Sequence, residues 1–245
     1  MLDLITVFGR DTIPGYLMCN VDLAWAERLM TKFAEQGIRV TITALLIKAI
    51  ALAQKVHPVS RSIVLPWGRV LSVPHITAGF TVERIINDQP IVYFGIINHP
   101  VEKSIAQIAA ELREYRWAEL DRVPQLAAEE FFTKMPWLVR QAMLLVAKCI
   151  PAARFQWFGA TFGLSSLGKY GARWVTGPCV CTATFGVGAA EQRPVVDNKA
   201  VVIKPMLTLT LGFDQRVMDD RSAQKFLLEV RKLVEGGMEG ELKLS

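Results

Sequence analysis

The stretch Leu207–Leu228, LTLTLGFDQRVMDDRSAQKFLL, decides the fold. Leu207, Leu209, Leu211 and Phe213 alternate with Thr208, Thr210 and Gly212, the period-two signature of a strand with one buried and one smaller, more polar face. The strand runs into a tight polar turn, Asp214-Gln215-Arg216. A closing helix then follows from about Asp220 to Glu235, with Phe226, Leu227, Val230, Leu233 and Val234 on its apolar side. Asp219 and Asp220 stand at the helix N-terminus, where carboxylates cap free N–H groups. Polar side chains collected at such a strand end are a common place for a site.

Outward from this segment, strands are expected at Ala160–Ser165, Cys179–Val187 and Ala200–Phe213. Earlier, Leu4–Phe8, Arg61–Leu65, His75–Glu83 and Pro90–Ile97 read as strands, with Asn87-Asp88 turning between the last two. Asp22 is positioned to cap a helix ending near Gly37, with Ala26, Leu29, Met30 and Phe33 on one face. A helix from Thr43 to about Val56 is apolar nearly all round, which predicts deep burial. Ile105, Ile108, Ala109 and Leu112 repeat at helical spacing, and Pro124 ends that segment. Met135–Ile150 reads as a further helix, with Arg140, Gln141 and Lys148 in a narrow polar stripe; burial against protein is expected, an interfacial helix being the alternative. Helices and hairpin-like strands in mixed order predict an α+β fold, a mixed sheet packed with helices. Neither a repeat nor a linker divides residues 1–245, which predicts a single domain.

Composition narrows the classes. The chain has 245 residues, 51% of them hydrophobic, and a net charge of +5. That is ample for a core and excludes a disulfide-stapled mini-protein, a disordered tail and collagen-like sequence. A mean hydropathy of +0.28 points to a very large core, an oligomer interface or membrane contact. Lys48 interrupts the apolar run Val40–Ala53, and Arg140 and Lys148 interrupt Met135–Ile150, so a membrane span is not expected. The opening MLDLITVFGR lacks a basic region before an apolar run, so no signal peptide is expected. Cys19, Cys149, Cys179 and Cys181 read as reduced core thiols of a cytoplasmic protein. Cys179-x-Cys181 is not zinc spacing, and no metal is expected. The isoelectric point near 9.1 comes without a basic run or interleaved aromatics. A nucleic-acid surface is therefore not expected; a small polyphosphate ligand or an ordinary solvated surface suits the charge.

The turn and its flanks resemble the catalytic domain of the dihydrolipoyl acyltransferases of 2-oxo acid dehydrogenase complexes, whose fold chloramphenicol acetyltransferase shares. The signature Asp-His-Arg-x-x-Asp-Gly is matched by Asp214-Gln215-Arg216-Val217-Met218-Asp219-Asp220. Four more segments agree in order: Thr12-Ile13-Pro14, Thr41–Ala53 (TITALLIKAIALA), Thr161–Gly171 (TFGLSSLGKYG) and Phe185–Val196 (FGVGAAEQRPVV). The resemblance implies a chloramphenicol acetyltransferase-like domain and a homotrimer, with larger cages in some relatives. It implies acyl-CoA entering a channel between subunits, coenzyme A being a substrate and no cofactor being covalently bound. In relatives a His in the channel is the general base and a Ser stabilises the oxyanion. Carried over, Ser165 is the oxyanion Ser. Asp219 is the signature Asp, which in relatives orients the site through an Arg, here Arg10. Asp214 and Arg216 support the turn.

The departure lies at the base, whose position holds Gln215. Gln takes up no proton near pH 7, and a missing general base costs about 10²–10⁴-fold in rate. A thiol acceptor is still a few per cent thiolate at neutral pH, so transfer is slowed rather than abolished. His57, His75 and His99 read as loop or strand-end residues. Asp219 or Asp220 in place of the base is outweighed by a structural ion pair for the first and a helix cap for the second. Gly186-x-Gly188 lacks the third Gly and following helix of a dinucleotide loop and reads as a strand end. Ser165-Ser166 has no evident triad partners. Trp137, Trp157 and Trp174 read as core or interface aromatics before pocket walls.

Relative to the family pattern, Glu129–Gly159 is an added helical segment, and neither a lipoyl nor a subunit-binding domain is visible. Two functions follow. One is CoA-dependent acyl transfer by a variant site, the acceptor unknown. The other is an inactive trimeric scaffold or CoA and acyl-ligand binder. Membrane-surface contact through Met135–Phe158 is a third and weaker reading.

Overall fold

The computed structural model describes residues 2–86, 88–119, 122–150, 152–154 and 159–241. Its centre is a mixed seven-stranded sheet. The strands are β1 (Pro14–Asp22), β4 (Thr77–Ile86), β5 (Gln89–Asn98), β6 (Phe162–Ser166), β7 (Ala183–Val187), β8 (Glu191–Asp197) and β9 (Ala200–Asp214), with β2 (Ser62–Val64) and β3 (Val70–Ser72) forming a separate ribbon. The order is β1-β9-β7-β6-β4-β5, and β8 folds back on the first half of β9. The β4–β6–β7 pairings are parallel and the others antiparallel. The alternation read in Leu207–Phe213 is realised: Leu207, Leu209, Leu211 and Phe213 are buried in the core.

That core face carries α2 (Ala24–Glu35), α3 (Ile42–Val56), α4 (Ile105–Trp117) and α7 (Asp220–Lys232), α3 touching both α4 and α7. Every residue of α3 from Ala44 to Gln54 is buried. Each fully buried Leu or Ile there contributes about 1.5–3 kcal/mol. Its two polar residues are tied to the chain. Lys48 Nζ donates to the carbonyls of Val101 at 2.5 Å and Lys103 at 2.9 Å. Gln54 Nε2 donates to Ser60 O at 3.1 Å, and Gln54 Oε1 lies 2.9 Å from the Thr161 hydroxyl, which accepts Thr77 N–H at 3.1 Å. That last chain fixes the starts of β4 and β6. Thr41 caps α3, and Ser104 and Gln107 form a reciprocal capping box on α4.

Several expectations are corrected. Leu4–Phe8 is not a strand: Leu2–Gly9 is a helix, α1. The sheet edge is taken instead by β1, where Leu17, Cys19 and Val21 face the core. Pro124 does not end a helix but opens one, α5 (Pro124–Lys134), at the first-turn position where its missing N–H costs nothing. The helix expected at Met135–Ile150 forms as α6 (Trp137–Cys149), but only Leu144 and Ala147 of its apolar residues are buried. The polar stripe faces inward: Arg140 pairs with Asp3 at 3.2 Å, Gln141 donates to Asp3 at 3.3 Å, and Lys148 pairs with Asp11. The apolar side, with Trp137, Leu138, Leu145 and Val146, is exposed. Ion pairs outrank apolar burial there because α1 is itself a short apolar helix, whose one acid, Asp3, and Asp11 just after it meet the polar residues of α6. Asp22 caps α2 from one residue farther out, accepting Ala24 N–H at 2.8 Å, with Leu23 at the N-cap. Cys179 and Cys181 precede β7 in a loop rather than lying on a strand, and Cys149 is exposed. The Asn87 half of the expected turn and Trp157 lie outside the described residues; Trp137 and Trp174 are exposed.

Candidate functional site

The face of the sheet opposite the helical core is built from small side chains. On β6 this face carries Gly163 and Ser165, on β4 Gly79 and Thr81, on β7 Thr184 and Gly186, on β9 Thr208 and Thr210. Ser165 Oγ lies 3.2 Å from Thr81 Oγ1; with Thr81 donating, the Ser165 proton is left for another acceptor. The hydroxyls of Thr184 and Thr210 are buried on this face without a partner among the described residues. Gly186 and Gly188 are required by close approach. A Cβ on Gly186 would stand 1.9 Å from Val175 O, and one on Gly188 would stand 2.0 Å from Arg173 O. The loop after β6 lies directly on the strand there, and Ala189 N–H donates to Ala172 O at 2.7 Å.

The polar turn closes the far end of β9. Arg216 grips Asp214 with both ends of its guanidinium, at 3.0 Å from Nε to Oδ1 and 2.6 Å from Nη2 to Oδ2. This hydrogen bonding raises the Arg216 pKa above its ordinary value. Asp214 also accepts the N–H of Arg216 at 3.1 Å and of Ile13 at 3.4 Å, and Gln215 N–H donates to Ile13 O at 2.9 Å. The Asp214-Gln215-Arg216 turn and the Thr12-Ile13-Pro14 segment are therefore one clamp.

The remaining site residues are placed as follows. Gln215 is exposed, and its Nε2 donates to Asp220 Oδ1 at 3.4 Å. Asp219 caps α7, accepting Ser222 N–H at 2.7 Å. Hydrogen bonding to Ser222 holds its carboxyl below the usual carboxylate range. Arg10 lines a shallow cavity with Pro14, Tyr16 and Cys179, and no ion pair joins it to Asp219 among the described residues. The histidines stand elsewhere: His57 against Phe226, and His75 edge-on to His99. Ser165 and Gln215 do not meet within one chain. Ser165 is level with Gly186 and Thr210, so Gln215 lies five residues farther along β9. That is about 17 Å along the strands and about 10 Å across them.

Two cavities flank these groups. One of about 530 Å³ is bounded by the turn and includes Asp11, Lys148, Arg154, Thr182, Asp214 and Arg216. The other, about 620 Å³, is mostly apolar and lies between α5 and the glycine-lined sheet face. Sequence reasoning missed the second cavity and Arg154, since nothing local marks an arginine that tertiary contacts bury. Burial pushes the thiols of Cys179 and Cys181, which edge these cavities, up to about 11. They are protonated at neutral pH and poor nucleophiles. Among the described residues no group of His, Cys, Asp and Glu could hold a metal ion, and no helix is long and apolar enough to cross a membrane.

Residues 152–240 match the family model for the 2-oxoacid dehydrogenases acyltransferase (catalytic domain). The chain is 26% identical over 237 residues to the dihydrolipoyllysine-residue acetyltransferase component of the pyruvate dehydrogenase complex of Staphylococcus aureus strain N315, covering 93% of this chain and 47% of that protein. The chain thus spans about half the length of the curated relatives it matches. Among solved structures, the dihydrolipoamide acetyltransferase of Azotobacter vinelandii superposes with a TM-score of 0.72 at 24% identity, covering 97% of this chain and 87% of that one. A probable dihydrolipoamide acetyltransferase from Listeria monocytogenes 4b F2365 gives 0.70 at 24% identity, with 96% and 89% covered. Chloramphenicol acetyltransferase gives 0.56 at 10% identity, with 95% and 94% covered. The fold is that of the 2-oxo acid dehydrogenase acyltransferase cores and of chloramphenicol acetyltransferase.

Proposed function

We propose that this chain is a cytoplasmic, CoA-dependent acyltransferase domain whose site works without a general-base histidine. The observation that carries the proposal is the clamp. The turn bearing Gln215 is held by the same two segments that the resemblance singles out, and it presents the Gln215 side chain to solvent at a strand end. In the A. vinelandii enzyme the mechanism was probed at a serine, a histidine and an asparagine, the last two four residues apart, as Gln215 and Asp219 are. Ser165 stabilises the oxyanion from the small-residue sheet face. Gln215 orients the acceptor by hydrogen bonding and leaves deprotonation to the thiol itself.

Because Ser165 and Gln215 stand far apart in one chain, the site is composite and forms between copies, in a homotrimer. Assembly into larger cores is part of the same proposal, because relatives of this fold form the cores of multienzyme complexes. That residues 129–159 are a segment added to the family pattern is part of the same proposal. A second reading, an inactive scaffold that binds CoA, is favoured by the occupied state of the turn: Gln215 is spent on Asp220 and Asp219 on the cap.

The test is calorimetric titration with CoA and acetyl-CoA, followed by transfer of the acetyl group to a dithiol by wild type and Gln215→His. Saturable micromolar binding and a rate gain of about 10²-fold or more in Gln215→His support the enzyme. Binding without transfer in either protein supports the scaffold. No binding up to millimolar CoA overturns both.

A further inference from the structure

Arg154 stands at the wall between the two cavities and lines both. It is mostly withdrawn from solvent, and its contacts among the described residues are one hydrogen bond from Nη2 to Val180 O at 3.3 Å and the Phe8 ring, 4.6 Å from its guanidinium carbon. No carboxylate among the described residues lies within ion-pair distance of it: Asp214 acts on it only at longer range and is itself held by Arg216, and Lys148 is paired with Asp11. A guanidinium withdrawn from water without a counter-ion is costly, and a bound anion relieves that cost. Burial accordingly holds Arg154 below its usual guanidinium range.

The space beyond it has a different character. Phe94, Ile96, Phe131, Phe132, Met135 and Met143 wall the apolar cavity. Its floor is the sheet at Gly163 and at Gly79, the latter packed under the Ala160 methyl. Its one wall carboxylate, Glu129, is engaged by the Phe94 N–H at 2.8 Å, and burial pushes its pKa up, towards the neutral form. A volume of about 620 Å³ falls in the span of small-molecule sites.

We propose that this cavity binds an amphipathic monocarboxylate, the acyl or aryl chain lying between α5 and the sheet and the carboxylate pairing with Arg154. The site holds or fails separately from the acyl-transfer reading, because its ligand is free of CoA and its occupancy is measured by binding alone.

The experiment is calorimetric titration of the wild-type protein with octanoate, 1-octanol and acetate. Arg154→Met and Ala128→Phe are titrated in parallel with octanoate. Ala128 lines the cavity from an exposed position on α5, so the larger side chain fills the space without entering the core. Octanoate is expected to bind with at least tenfold higher affinity than either octanol or acetate, since a charge-assisted hydrogen bond is worth about ten- to a hundredfold. Arg154→Met is expected to lose at least tenfold in octanoate affinity with a ligand-free thermal midpoint no lower than wild type, and Ala128→Phe to lose saturable binding with its midpoint unchanged. Failure of octanoate to bind wild type up to millimolar concentration overturns the proposal. So does octanol binding as tightly as octanoate, or octanoate affinity that survives Arg154→Met. If Ala128→Phe alone unfolds, the Arg154→Met comparison decides.

Discussion

Asp219 joins two roles in one carboxylate. By resemblance it belongs to the site; by geometry it caps α7 through Ser222 N–H at 2.7 Å. The hydrogen bonds to Ser222 depress its pKa from the ordinary 3.8. A carboxyl whose folded pKa is depressed adds stability above its unfolded pKa, and that stability is lost as pH falls through the lower folded value. Asn caps as well as Asp but carries no charge. The thermal midpoint of Asp219→Asn is therefore expected below wild type by a constant amount above about pH 5, with the gap closing below pH 3.8. A gap unchanged from pH 6 to pH 2.5 would show that the carboxylate charge does no work at the cap. At this scale the sequence was readable where the partner is local. A cap at this helix start follows from spacing, but the sequence reading assigns the cap to Asp220 and an ion pair to Asp219. In the structure Asp219 itself is the cap, three residues before Ser222, and it has no ion pair among the described residues. Arg154 and Glu129 were not readable, since their burial depends on loops and strands far away in the chain.

At the scale of elements, the glycines of β7 and its end make the sharpest case. Gly186 and Gly188 were legible as a strand end, but not as the seat of a loop. The reason is the backbone of residues 173–175, which runs close above them. Gly186→Ala is expected to force Val175 O away, since 1.9 Å is far inside contact distance. Overpacking of this kind costs about 1–3 kcal/mol. Gly163→Ala is the control, because its new Cβ would meet only Thr184 Cγ2, at 3.4 Å. Chemical denaturation should separate the two variants, and hydrogen exchange at Ala189 N–H should quicken in Gly186→Ala alone. Equal stability of both variants would mean that the loop is not seated on the strand. Other elements show why pattern reading runs out. In β1, Leu17, Cys19 and Val21 alternate with Tyr16, Met18 and Asn20, a strand signal as regular as that of β9 yet absent from the expected strands. Helix α6 was legible, but most of its apolar side is exposed and only Leu144 and Ala147 are buried, since an apolar stripe says only which side avoids water. It does not say whether α1 or another molecule covers it.

The whole molecule leaves apolar surface on several elements. Leu138 and Leu145 of α6 are 72% and 61% exposed, and Val201 and Ile203 of the β8–β9 hairpin are 72% and 73% exposed. Single exposed apolar residues are ordinary on a soluble surface, but clusters on two separate elements are the mark of covered faces. This also explains a mean hydropathy of +0.28 without a helix able to cross a membrane among the described residues. The proposed homotrimer would answer the separation of Ser165 from Gln215 as well, with a second copy supplying what one sheet holds too far apart. The two arguments are independent, one from surface and one from site, and they share a single consequence. Sedimentation at micromolar concentration is expected to give a species near three times the 27.3 kDa chain mass. Substituting Ile203→Lys together with Leu138→Glu is expected to shift that species towards the single-chain mass while leaving the helical circular dichroism signal in place, since all of these side chains lie outside the core. Loss of the larger species should then carry away any CoA-dependent transfer, because each separated copy keeps both Ser165 and Gln215 but holds them too far apart to form one site. A wild-type protein that sediments at 27.3 kDa and still transfers acyl groups would place the whole site in one chain and overturn the composite arrangement.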